Sequence, residues 1–94
     1  MNYKVRVTVK EVTKGECPVG HIPGQSWLIE GSLAPAGMCS SAYNALLPHI
    51  TSFRFGGVPP WLEGKEDQDV LELSCIDPKR WVIFEVRRLR EGQS

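Results

Sequence analysis

Eleven basic and eleven acidic side chains cancel over 94 residues, so no overall field draws this chain to nucleic acid or anionic lipid. Hydrophobic residues at 41% and charged residues at 23% are the proportions of one small globular domain, 1–94, and exclude a disordered chain. No apolar run is long enough to cross a membrane, and Met1-Asn2-Tyr3-Lys4 leads into charged alternation instead of a signal peptide, which points to the cytoplasm.

Tyr3, Val5, Val7 and Val9 alternate with Lys4, Arg6, Thr8 and Lys10, the period-two pattern of a strand with one buried face. The stretch 14–24 is rich in Gly and Pro and reads as a structured loop carrying Cys17 and His21. Gln25 to Glu30 is a second short strand with Trp27 and Ile29 on one face, followed by a loop from Gly31 to Gly37. From Met38 the period changes: Met38, Ala42, Ala45, Leu46 and Ile50 approximate one face of a helix. Pro48 disfavours helical geometry at Leu47, so the expected helix runs from Met38 or Ser40 to Leu47, then a kink or separate turn through Phe53.

Phe55 to Trp61 is irregular, and Gly64 to Gln68 is a charged turn. Asp69 to Cys75 forms a third strand and Trp81 to Leu89 a fourth, with Val82, Phe84 and Val86 inward. The order β-β-α-β-β predicts an α+β fold: a four-stranded antiparallel sheet with the helix on one face, and the first and last strands paired at its centre.

All three cysteines fall at element ends. Cys17 opens a Cys-Pro turn after the first strand, Cys39 stands where the helix begins, and Cys75 closes the third strand. In the cytoplasm three cysteines read as free thiols or metal ligands before they read as disulfides. Three chemistries follow. They can be buried small hydrophobes. They can join His21 in a tetrahedral zinc site, or bind another thiophilic metal, although paired Cys-x2-Cys spacing is absent. Or Cys39, at a helix N-terminus, can be a thiol nucleophile; of the two available bases, His49 lies about three turns along, where the helix cannot bring it to Cys39, and His21 reaches if the first loop folds over the helix start.

The segment Phe53 to Trp61 offers a different site. Gly56-Gly57 lets a backbone approach a ligand, Trp61 walls a pocket, and Arg54 pairs with an anion; the competing reading is a plain connection capping the core. No Lys-Ser or Lys-Thr follows the glycines, so this is not a phosphate loop. Lys79-Arg80 and Arg87-Arg88-Leu89-Arg90 form a basic cluster diluted by Glu85 and Glu91, which reads as a solvated strand edge and not as an RNA-binding face.

The order Cys17-Pro18, Gly24/Trp27/Gly31, Cys39, Ala42, Pro48, Gly56-Gly57, Pro60-Trp61, Cys75-x-Asp77, Arg80 and Phe84 resembles a family of small uncharacterised prokaryotic proteins over nearly the whole chain. The resemblance implies no activity, but it does imply that all three cysteines belong to a shared pattern. Neither His21 nor His49 matches a position of it.

The expected function is a non-catalytic module that binds a small ligand, a metal or a partner protein through a cysteine-lined loop pole. The alternative is a thiol-dependent enzyme or redox protein centred on Cys39. Cys17, Cys39 and Cys75 are expected to converge at one end of the sheet, with Trp61 and the Gly56-Gly57 backbone nearby. Three tryptophans are hard to bury in so small a core, so a homodimer is expected as well.

Overall fold

The valine alternation becomes a long strand, β1 (Lys4–Thr13), in a computed structural model that describes residues 3–13, 20–31, 33–74 and 81–90. Val5, Val7 and Val9 are buried on one face. The strand outlasts the pure alternation because the register slips between Val9, opposite Phe84, and Glu11, opposite Ile83. Lys10 is the extra residue of this bulge, which returns Val12 to the buried face opposite Val82. Strand β2 (Ser26–Ile29) pairs antiparallel with β1 and buries Trp27 and Ile29, as their spacing predicted.

Helix α1 (Ser40–Arg54) buries Ala42, Leu46, Ile50 and Phe53. It does not stop at Leu47 but continues through Pro48 for almost two further turns. Proline costs the donor that would reach the Asn44 carbonyl, yet Asn44 and Pro48 both lie on the exposed side, where water can satisfy that carbonyl. Burial of Ile50 and Phe53 offsets the remaining strain, because packing of the apolar face supplies most helical stability.

The helix ends in a Schellman turn. Gly57 N–H donates to the Ser52 carbonyl at 2.8 Å, Gly56 N–H to that of Phe53 at 3.2 Å, and Gly56 has φ +87°. Strands β3 (Val70–Ser74) and β4 (Trp81–Leu89) complete the sheet in the order β2-β1-β4-β3, antiparallel throughout. The first and last strands pair at its centre, as expected.

Helix α1 packs on β1, β3 and β4 and leaves the inner face of β2 to other groups. His21 meets the Trp27 ring edge-on there at 5.1 Å and lies 6.3 Å from Phe84. Ion pairs line the opposite face of the sheet, Lys4–Glu30, Lys10–Glu72 and Arg87–Glu85, as befits the wet side of a two-layer fold. Among the described residues no helix is long and apolar enough to cross a membrane.

Candidate functional site

The start of α1 is built around His21. This imidazole is 4% exposed, and both of its nitrogens are engaged. Nε2 accepts the Cys39 backbone N–H at 3.0 Å, so the ring proton sits on Nδ1, 3.0 Å from the Gln25 side-chain oxygen. The loop carrying the histidine is pinned to β1, since Val9 N–H donates to the Gln25 carbonyl and Gly24 N–H to that of Val9, both at 2.8 Å. Cys39 is the N-cap of α1 and makes no side-chain capping bond. Its carbonyl accepts the first helical hydrogen bond, from Tyr43 N–H at 2.9 Å, and its half-buried thiol is free and packs beside the core.

Of the expected set, then, the fold brings Cys39 and His21 together through a backbone N–H and not through the thiol. Neither ring nitrogen offers a lone pair to a metal or a proton acceptor to Cys39 in this arrangement. His49 is ten residues further along α1, about 15 Å at the helical rise, and packs edge-on against Trp61 at 5.9 Å. Cys17 and Cys75 lie outside the described residues. Among the described residues no group of three His, Cys, Asp or Glu side chains is placed to hold a metal ion.

The expectation that Trp61 and Gly56-Gly57 lie beside the thiols is corrected for Cys39, the thiol among the described residues: Trp61 packs on His49, and the glycines close the C-terminal end of α1, some 22 Å from its start at 1.5 Å per residue. Their role is the helix cap. A Cβ on Gly57 would collide with Ser52 Oγ and sit 3.1 Å from the Ser52 carbonyl oxygen, so close packing within the chain, not a ligand, explains that glycine. Arg54 is buried with its guanidinium 4.9 Å from the Phe55 ring centre, not displayed toward an anion in solvent.

A second correction concerns the basic cluster. Strand β4 is central, not an edge, and Arg88 lies on the inward side of its alternation, 1% exposed. Its Nη1 donates to the carbonyls of Gly57 at 2.7 Å and Phe53 at 3.4 Å, its Nη2 to that of Gln68 at 3.2 Å, and its Nε to Asp69 at 3.0 Å. The guanidinium also covers the Phe53 ring at 4.6 Å. The signal was present in the sequence as the run 82, 84, 86, 88 on one strand face, but a charged side chain there reads as a surface residue.

Asp69 is shared between Arg88 and Arg90, which donates to it at 2.8 and 2.9 Å. The hydrogen bond from Arg90 first, and that from Arg88, hold the carboxyl below its ordinary value against the opposing effect of burial. Folded Asp69 therefore binds its proton less readily than unfolded Asp69. Its contribution to stability is complete above the unfolded value of about 3.9 and is lost as pH falls through the folded one. Denaturation midpoints followed from pH 6 to 2 should show an acid decline in the wild type that is shallower in Asp69→Asn. Parallel acid limbs in the two proteins would contradict the assignment.

A groove of about 640 Å³ opens on the wet face, lined by Lys10, Glu11, Glu72, Leu73, Ser74 and Ile83. Its one lysine is already paired with Glu72 at 2.8 Å, and that ion pair holds the Lys10 ammonium above its ordinary pKa. No family model matches the chain, and neither a curated protein nor a solved structure matches it significantly.

Proposed function

We propose that the protein is a non-catalytic cytoplasmic binding module whose ligand contacts the end of the sheet where α1 begins, with Cys17, Cys39 and Cys75 as the thiols of that pole. One observation carries the choice of binding over catalysis. The Nε2 lone pair of His21, the histidine that the fold places beside Cys39, is taken by the Cys39 backbone N–H, and a cysteine nucleophile needs a base within reach of the thiol itself. The strand directions support a shared pole. β1 and β3 are both antiparallel to β4 and so run the same way, and the chain leaves their last residues, Thr13 and Ser74, toward Cys17 and Cys75. Zinc or another thiophilic metal is the ligand class such a set suits.

Thiol chemistry tests the reading. Cys39 should react with iodoacetamide at neutral pH no faster than a free cysteine peptide, and a metal-bound set should react only after chelation. Alkylation more than about tenfold faster than the peptide would replace the module with the thiol enzyme. Elemental analysis of untagged protein separates a metal from an organic or protein ligand.

The homodimer is proposed on less surface than composition implied, because Trp27, Phe53 and Phe84 are buried within the chain; among the described residues Ile22, Leu33 and Phe55 remain exposed outside the loop that carries Trp61. Light scattering that gives 10.5 kDa at high micromolar concentration would remove it.

A further inference from the structure

The connection from α1 to β3 leaves and rejoins the fold at one side chain. Arg88 Nη1 holds the Gly57 carbonyl and Nη2 the Gln68 carbonyl, so residues 57–68 form a loop whose two ends meet on a single buried guanidinium. That is the geometry of an Ω-loop, a compact excursion of a kind that is frequently functional. Its interior is fixed as well. Pro59 is buried with φ −58° and ψ 144°, Leu62 is buried in the core, and Pro60–Leu62 forms a 3₁₀ turn. Between these anchors Trp61 is 56% exposed, held on one side by its edge-on contact with His49. Leu62 already fills the core beneath the loop, so packing within the chain does not require a tryptophan next to it.

A rigid, half-exposed tryptophan on a clamped loop resembles an interface anchor. Its geometry is set before binding, which lowers the entropy cost of association. The charge around it selects the partner. Glu63, Lys65 and Glu66 are exposed and enter no ion pair among the described residues, while Asp67 is taken by Arg87 at 3.2 Å. Two free carboxylates against one ammonium disfavour phosphate backbones and anionic lipid, and favour a basic rim. Among the described residues the groove on the wet face of a second copy does not supply one, since it is lined by Glu11 and Glu72 and its lysine is already paired.

We propose that loop 57–68 is a preorganised docking loop that inserts Trp61 into an apolar pocket, rimmed by lysine or arginine, on a partner protein. The inference is independent of the thiol pole, since it uses groups near the other end of α1.

The test places a photo-reactive benzoylphenylalanine at Lys65, in the full chain, in cells that make this protein. Mass spectrometry should locate the cross-link on a protein surface where apolar residues are flanked by lysine or arginine. With that partner purified, Trp61→Ala should weaken binding at least tenfold, Glu63→Lys/Glu66→Lys should weaken it further as salt is lowered, and Cys39→Ser should leave it unchanged. Cross-links confined to nucleic acid or to a second copy, no cross-link at all, or equal affinity of the wild type and Trp61→Ala would each overturn the proposal. Loss of binding in Cys39→Ser alone would assign the contact to the thiol pole instead.

Discussion

Replacing Arg88 with alanine should lower the unfolding free energy by about 3–5 kcal/mol, the usual loss when one partner of a buried ion pair is removed. The size follows from what is left behind. Asp69 keeps its charge with only Arg90 to answer it, and the carbonyls of Phe53, Gly57 and Gln68 lose a donor inside the protein. The face of Phe53 is uncovered as well. Arg88→Lys should recover little, because an ammonium has three donors at one point, whereas the three carbonyls and the carboxylate lie around a planar fork. Stabilities of small domains are only about 5–15 kcal/mol, so Arg88→Ala approaches the limit of folding, and urea titration of wild type, Arg88→Lys and Arg88→Ala should rank them in that order. An alanine variant within 1 kcal/mol of wild type would show that the clamp contributes no net stability.

That clamp marks where sequence reading stopped. Val5, Val7 and Val9, and Val82, Phe84 and Val86, are legible because burial of one sheet face imposes a period of two on apolar side chains. The same period continues to Arg88, but charge hides it: the guanidinium is buried only because carbonyls from the end of α1 and from Gln68 converge on it, and nothing local announces such convergence. Pro48 misplaced the helix end for a related reason. A local rule about the backbone gave way to Ile50 and Phe53, whose burial depends on the sheet beneath them. Gly56-Gly57 carried a readable signal of another kind, since a glycine pair after an apolar helical face is a stop signal before it is a ligand cradle. For the thiol pole, the position of Cys39 at a helix start was legible. Its bond to His21 was not, as it joins residues eighteen positions apart.

His21→Ala should cost about 2–4 kcal/mol in metal-free protein, combining a cavity between Trp27 and Phe84 with the loss of two hydrogen bonds. The Cys39 N–H and the Gln25 side-chain oxygen would both lose their partner, and the first turn of α1 would lose its tie to the loop on β1. His21→Phe separates the two causes, because it refills the volume without restoring an acceptor, and should recover about half of the loss or less. These values set the structural role of the imidazole apart from a ligating one. A metal ligand would stabilise in proportion to bound metal, so its removal would cost nothing in chelator-treated protein and much in loaded protein. An imidazole that caps the Cys39 backbone costs the same in both. Guanidinium titrations of wild type, His21→Ala and His21→Phe, each with and without chelator, therefore decide the point. A penalty that appears only in the absence of chelator would move His21 from the core to the coordination sphere.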